Sequence, residues 1–212
     1  MVLSMLSLIL VAPAAAAAAP PMAAAAPPPV VAALNVSQYV GRWYQVYGSA
    51  TVIWTMEVGG HCVTADYATT GRSDVLSVQN AVRVPIVGVP VKVNGYAVVN
   101  PACAGELDVT LGAPGHGPDP ASAGQFKSTN YMVVRLGPVV ESAYDYAVVS
   151  DPKALSLYVL ARNVSRFAAQ YEASVLKELK KLKFTSFLTR PRKTNQENCK
   201  YVPPPDAPSQ PP

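Results

Sequence analysis

The stretch Gly41-Arg42-Trp43-Tyr44 opens the first segment of the chain that is rich in β-forming residues. Gly41 lets the backbone turn closely, and Trp43 supplies a large apolar ring. Arg162 stands at the end of the last segment of this kind. Because a guanidinium stacks well on an indole, we expect Arg162 to cover Trp43 and, with Gly41, to close one end of the fold.

Eight short runs with strand-like residues follow one another with no helix between them. They cover residues 41–52, 61–68, 74–83, 91–99, 106–111, 130–136, 144–150 and 155–161, and the Pro/Gly-rich loop 112–124 is predicted to be irregular. This order predicts an all-β fold, an eight-stranded antiparallel up-and-down barrel that can hold one small ligand. Tyr171, Val175, Leu179 and Leu182 then recur at helical spacing, which predicts one C-terminal α-helix packed outside the barrel.

Composition limits the classes of function. Of the 212 residues, 50% are hydrophobic and 14% are charged, and the formal net charge is only +4. Many basic residues fall on the predicted helix and just after it, where they are typical of a solvated face. We therefore expect no nucleic-acid partner. The cysteines, Cys62, Cys103 and Cys199, permit three single pairings, each of which leaves one thiol.

The two ends of the chain differ from its middle. Residues 1–19 form a short apolar run ending in alanines, which predicts a secretory signal peptide and hence a secreted, extracellular or periplasm-like protein. Residues 20–34 are predicted to be a disordered Pro/Ala-rich leader, and residues 202–212 a disordered Pro-rich tail. The folded domain is expected to span residues 35–201.

Several segments together resemble the lipocalin family, and within it the apolipoprotein D and bacterial lipocalin branch. They are Gly41-Arg42-Trp43-Tyr44, Cys62-x-x-Ala65-x-Tyr67, Val75-Leu76-Ser77-Val78-Gln79-Asn80, Asp145-Tyr146-Ala147-Val148-Val149, Tyr158-Val159-Leu160-Ala161-Arg162-Asn163 and Thr194-Asn195-Gln196-Glu197-Asn198-Cys199. The resemblance implies a lipocalin barrel, a Cys62–Cys199 disulfide and a free Cys103. The chain departs from the family at Leu136-Gly137-Pro138, where the family carries Thr-Asp-Tyr.

The alternation of side chains along a strand predicts which residues face the lumen. If Trp43 and Arg162 point inward, they fix which side chains of the first and last strands face the lumen. In the second strand the alternating apolar residues are taken as the inward ones. In the seventh strand, an exposed Asp145 would leave its two neighbours facing inward. The resemblance adds Asn80 and Met132. The predicted ligand-binding residues are Tyr47, Tyr67, Asn80, Met132, Tyr146 and Tyr158, with Gln45, Tyr144, Val148 and Leu160 also inward. Tyrosines and aliphatics suit an apolar ligand with one or two polar groups.

Ile53, Trp54 and Met56 follow the first strand, at the expected open mouth. Apolar residues there predict either a gate that folds over the lumen or a lip for peripheral membrane contact.

The expected function is secreted transport or sequestration of a small hydrophobic ligand, such as a fatty acid, sterol or isoprenoid-like molecule. No cofactor and no metal site are expected, because His61, Cys62, Cys103 and His116 lack metal-ligand spacing. One alternative is an enzyme on the same fold, although the chain offers no clear catalytic set. The other is an antioxidant or interaction protein that acts through Cys103 or an exposed Met56.

Overall fold

The computed structural model describes residues 27–55, 57, 59–84 and 89–205. The strands in this part of the chain are β1 (Gly41–Gly48), β2 (His61–Thr69), β3 (Val75–Arg83), β4 (Pro90–Val99), β5 (Glu106–Leu111), β6 (Tyr131–Leu136), β7 (Val139–Val140), β8 (Ala143–Tyr144), β9 (Tyr146–Ser150), β10 (Leu157–Ala161) and β11 (Arg192–Lys193). The helices are α1 (Val36–Tyr39), α2 (Ala50–Thr55), α3 (Val164–Gln170) and α4 (Glu172–Lys181), with a 3₁₀ turn at Pro120–Ser122.

Eight of these strands form a closed antiparallel barrel. The strands β1 to β6, β9 and β10 pair in the order β10-β9-β6-β5-β4-β3-β2-β1, and β10 pairs back with β1. Tyr44 lies opposite Ala161 at this closure. Of the described strands, β11, at the edge of β1, and the separate β7–β8 hairpin lie outside the cylinder. The predicted barrel is therefore confirmed, because the β10–β1 pairing closes the sheet.

The first strand is shorter than the sequence predicts. β1 ends at Gly48, and the next residues form the short helix α2 rather than a continuation of the strand. The backbone N–H groups of Ala50 and Thr51 donate to the Leu188 carbonyl. This contact turns the chain across the end of the barrel instead of along its wall.

The C-terminal helical region lies on the outer wall, as the apolar stripe predicts. It consists of two helices rather than one, because the backbone at Tyr171 departs from helical angles between α3 and α4. The Asn163 side chain caps α3 by accepting from the Arg166 N–H. Val175 and Leu179 pack with Phe167 against the barrel in one buried cluster.

Two predicted disordered segments are partly docked on the barrel. The Val31 N–H donates to the Val133 carbonyl at 2.8 Å, and Leu34 is buried in the inner core. At the other end, the carbonyls of Val202 and Pro203 accept hydrogen bonds from Arg42 and Gln79. The prediction of disorder is therefore wrong for these docked residues. The predicted signal peptide, residues 20–26 and residues 206–212 lie outside the described residues.

The barrel separates two apolar clusters. The inner cluster contains Leu34, Tyr39, Trp43, Tyr67, Leu76, Val78, Ala97, Leu107, Val133, Ala147, Val149 and Leu160. The outer cluster, beneath α3 and α4, contains Val46, Tyr47, Val134, Val148, Leu157, Val159, Ala161, Phe167, Val175, Leu179 and Phe184. Membership in one cluster or the other shows which way each strand residue points.

Candidate functional site

Trp43 and Arg162 meet at the end of the barrel where β1 begins. The Arg162 Cζ atom lies 3.7 Å from the centroid of the Trp43 ring, which is the contact that the sequence predicts. The Arg162 guanidinium also donates to the backbone carbonyls of Gln38, Tyr39, Val40, Arg42 and Tyr144. These bonds tie α1, β1 and β8 together and close this end.

Burial and charge set the properties of this closure. Burial disfavours the charged form and lowers the pKa of the Arg162 guanidinium to about 10, so the group stays cationic at neutral pH. Gly41 adopts a φ of +99°, and a Cβ there would lie 3.1 Å from Arg162 Nη1. Only glycine adopts this conformation readily at such a close approach.

A layer of tyrosines lies directly against the closure. The Tyr39 and Tyr131 hydroxyls are 2.5 Å apart, and the Tyr67 hydroxyl donates to that of Tyr131 at 3.1 Å. The Tyr39 ring also packs 5.2 Å from the Trp43 ring. Burial raises the pKa of Tyr67 to about 12 and raises those of Tyr39 and Tyr131 as well, so all three remain neutral. Tyr67 thus faces inward as predicted and forms part of a floor; Tyr39 and Tyr131 were not among the predicted residues.

Toward the other end, the inner wall becomes more polar. Tyr158 and Leu160 belong to the inner set, as predicted from the direction of Arg162. Asn80 shares the face of Leu76 and Val78 on β3, so it also points inward. Tyr158 and Asn80 keep accessible surface although they lie on the inner face. This is the part of the lumen that a ligand could contact.

Glu57 is a third residue of the inner wall that was not predicted from the sequence. It comes from the loop after α2, and only 5% of it is exposed. Burial raises the pKa of its carboxyl to about 7, partly offset by a hydrogen bond from the Gln45 side chain. Burial is the main cause of the raised pKa of Tyr158, and the Glu57 charge adds to it, so the Glu57 carboxyl lies near the inner wall. A loop glutamate carries no periodic signal, so the strand pattern could not have revealed it.

Tyr47 points outward, contrary to the prediction. The β1–β10 register shifts between Gln45 and Tyr47, which marks a β-bulge. A bulge adds one residue and reverses the alternation that follows it. The Tyr47 hydroxyl accordingly donates to the Glu172 carboxylate on α4, outside the barrel.

Met132 also points outward. Its neighbours Tyr131 and Val133 both pack in the inner set, so the side chain between them faces the other way. Tyr131 fixes this phase because its hydroxyl joins the tyrosine layer. The inward direction implied by the resemblance is therefore wrong for Met132.

The predicted inward residues of β9 are also wrong. Tyr146 and Val148 pack in the outer cluster, whereas Ala147 and Val149 face inward. The prediction assumed an exposed Asp145, but this residue is only 2% exposed and binds the Arg166 guanidinium with both carboxylate oxygens. Asp145 also separates β8 from β9, which is why Tyr144 packs with the inner cluster while Tyr146 does not.

Comparison with known proteins identifies the family. A family model described as a lipocalin-like domain matches residues 34–191. The chain belongs to the lipocalin-like domain family. Among solved structures, one similar protein is a lipocalin whose expression is activated by cell transformation by the myc oncogene. That match has 16% identity and a TM-score of 0.38, and it covers 69% of this chain and 85% of the other. The comparison with curated proteins gives no match.

The disulfide of this lipocalin-like chain is Cys62–Cys199, as the resemblance implies. It joins the start of β2 to the segment after β11, and closes a loop whose ends are 137 residues apart in sequence. Cys103 is free and half-buried, with its Sγ 3.9 Å from the Val31 carbonyl oxygen.

The two histidines, which were considered for catalysis and metal binding, lie apart in this lipocalin-like barrel. His61 lines a cleft of about 370 Å³ near Thr194 and Asn195, whereas His116 is exposed in the loop after β5. Within the described ranges, no group of three or more His, Cys, Asp or Glu side chains could hold a metal ion. None of the helices described here is long and apolar enough to cross a membrane.

An aromatic and basic patch lies at the barrel end opposite Trp43. Trp54 on α2 is 53% exposed and packs 5.6 Å from the ring of Phe187, which is 60% exposed. The Arg192 guanidinium lies over both rings, and that of Arg190 lies over Phe187. With Leu188, these five residues form the mouth patch. Ile53 is half-buried, and Met56 lies outside the described residues.

Proposed function

We propose that this lipocalin-like protein is a secreted carrier that transports or sequesters a small hydrophobic ligand in its barrel lumen. A fatty acid, a sterol or an isoprenoid-like molecule has the size and polarity that such a lumen suits. We also propose that it belongs to the apolipoprotein D and bacterial lipocalin branch. The Cys62–Cys199 bridge and the segment before Cys199 resemble those of that branch.

The observation that carries the proposal is the division of the inner wall. The floor is packed by Trp43 and the tyrosine layer, whereas Tyr158 and Asn80 above it keep accessible surface. The Asn80 Oδ1 atom is buried and has no hydrogen-bond partner. Because buried polar atoms are normally satisfied, this carbonyl favours a guest molecule or water at that position.

Titration of the mature protein with retinol, followed by quenching of tryptophan fluorescence, tests the carrier function. We expect saturable binding of one molecule per chain. The Tyr158→Trp variant should bind more weakly, because the larger ring would occupy space on the inner wall, while Val139→Ala on the outer β7 should bind like the wild type. A wild-type titration without saturation would refute the proposal.

Two features support export. The predicted signal peptide would direct the chain out of the cytosol, and a disulfide persists in an oxidising compartment. N-terminal sequencing of protein recovered from its source is the direct test. A mature chain that begins after residue 19 supports export, and a chain that still begins at Met1 contradicts it.

We further propose that the mouth patch contacts anionic membrane surfaces. Exposed aromatic rings enter the interfacial region of a bilayer, and the arginines stacked on them complement anionic head groups. Of the three residues predicted from sequence, Trp54 lies in the mouth patch and would carry this contact, and Ile53 lies half-buried beside it on α2. A role for Met56 stays a prediction.

Vesicle binding can test the patch selectively, because Trp43 is fully buried and Trp54 is not. Phosphatidylserine-containing vesicles should shift the tryptophan emission to the blue, and phosphatidylcholine vesicles should shift it much less. Phe187→Ala should weaken this binding several-fold, whereas Val139→Ala, which truncates an exposed apolar residue elsewhere, should not. Equal binding to both vesicle types by all three proteins would contradict the proposal.

A further inference from the structure

We propose that the lumen selects ligands whose head group donates hydrogen bonds, an alcohol or an amine, over ligands that end in a carboxylate, and that Glu57 makes this selection. The inference rests on the proposed carrier function and adds the chemical class of the head group. It also narrows the candidate ligands, since it disfavours free fatty acids and favours sterol-like and isoprenoid alcohols.

The loop geometry places Glu57 over the inner wall. Its N–H donates to the Val52 carbonyl at 3.2 Å, and its own carbonyl accepts from the Gly60 N–H at 2.8 Å. A Cβ at Gly60 would lie only 2.1 Å from Val82 Cγ2. Val82 is two residues from Asn80 on a regular stretch of β3 and therefore shares its inward face. The Glu57 turn thus sits directly above the wall that carries Asn80.

Two buried acceptors on this wall lack donors. The Glu57 Oε2 and Asn80 Oδ1 atoms have no hydrogen-bond partner. The Gln45 side-chain amide, which is the donor to the Glu57 carboxyl, also donates to Thr194 Oγ1 at 3.1 Å. A buried acceptor without a donor is costly, so a guest that supplies an O–H or N–H gains more here than one that supplies only acceptors.

The described inner wall offers no cation to an anionic head group, since the arginines at this end, Arg190 and Arg192, lie over the exposed rings of the mouth patch. The inward residues of β3, β9 and β10 above the closure carry no basic group; they are Leu76, Val78, Asn80, Ala147, Val149, Tyr158 and Leu160. Arg162 lies at the closed end, where five backbone carbonyls already occupy its guanidinium. Because the pKa of Glu57 is about 7, its carboxyl is mostly ionised at pH 8. A ligand carboxylate would then meet a second negative charge in a medium of low dielectric constant.

Three retinoids that differ only at the head group provide the test: retinol, retinylamine and retinoic acid, titrated at pH 8 by tryptophan quenching. We expect the alcohol and the amine to bind at least tenfold more tightly than the acid. In Glu57→Gln this ratio should fall below about threefold, mainly because the acid binds better. Glu141→Gln, at the β7–β8 turn beside the closed end, is the matched control and should keep the wild-type ratio.

The possible results separate the two proposals. If wild-type protein binds all three retinoids equally, or if Glu57→Gln leaves the ratio unchanged, the head-group inference is overturned and the carrier function stands. If none of the three shows saturable binding, the carrier function is overturned and the inference with it. Glu57→Met serves as a second variant should Glu57→Gln lose its native circular dichroism spectrum, and it should abolish the discrimination in the same way.

Discussion

Replacing Glu57 with glutamine should change how the stability of the protein depends on pH. Burial raises the pKa of the Glu57 carboxyl in the folded chain to about 7, against an ordinary value of about 4.5 that we take for the unfolded chain. The folded state therefore holds this proton more tightly than the unfolded state does. The stabilisation is complete below pH 4.5 and is lost as the pH rises past 7.

The size of the effect follows from the difference between these two pKa values. At about 1.4 kcal/mol per pH unit, the gap of about 2.5 pH units corresponds to about 3 kcal/mol of unfolding free energy. Glutamine keeps the size and hydrogen-bonding capacity of the side chain but does not ionise. Relative to the wild type, Glu57→Gln should gain about 3 kcal/mol between pH 4 and pH 8.

Urea unfolding at pH 4, 6 and 8, with the Cys62–Cys199 disulfide intact, measures this quantity. Because other titrating groups are common to both proteins, they cancel in the difference between variant and wild type. Tyr158 does not interfere, since its pKa is raised further above the usual tyrosine range. A flat difference for Glu57→Gln would refute the reasoning, because it would mean that the carboxyl is not buried in the folded protein.

Three further predictions concern the frame of the barrel. Arg162→Met should lower the free energy of unfolding by about 3–5 kcal/mol in urea titrations, because it removes the guanidinium that donates to several backbone carbonyls at the closure; a loss below 1 kcal/mol would contradict this. Reduction of Cys62–Cys199 should cost about 4–5 kcal/mol by the chain-entropy model, and an unchanged melting curve under reductant would argue against it. Leu179→Ala should cost about 2–5 kcal/mol by calorimetry, because Leu179 is the fully buried residue of α4 that packs against the barrel, and a neutral result would show that the helix is not docked.

The sequence predicted the barrel well because its signals are periodic and local. Alternating apolar residues and Pro/Gly turns locate all eight strands, and a guanidinium stacked on an indole is a pairing that residue chemistry suggests. The closure by Trp43 and Arg162 needed only their places at the first and last strands. The disulfide followed from the resemblance rather than from the spacing of the cysteines.

The lumen was harder to predict, because a single extra residue reverses a strand. The bulges at Gln45/Tyr47 and Val133/Arg135 occur where apolar residues stand side by side, at Val46-Tyr47 and Val133-Val134. Such adjacent apolar pairs break strict alternation and are the signal that could have revealed a bulge.

Long-range partners were equally invisible to local patterns. The charge of Asp145 predicts an exposed side chain, but the residue is buried because it pairs with Arg166 from α3. Glu57 and the docked leader at Val31 depend on contacts with strands that are far away in sequence. The place of Tyr39 in the tyrosine floor also depends on distant contacts, because Tyr39 lies on α1, before the first strand, and packs against Tyr67 and Tyr131.

Native mass spectrometry of the protein purified from its own source tests the central claim most directly. The account predicts a chain that carries one small hydrophobic molecule, released on denaturation and identified as an alcohol, a sterol or an amine. Added retinol should displace this molecule from the wild type. A chain at its bare mass that also fails to take up retinol would contradict the claim that this barrel carries a ligand.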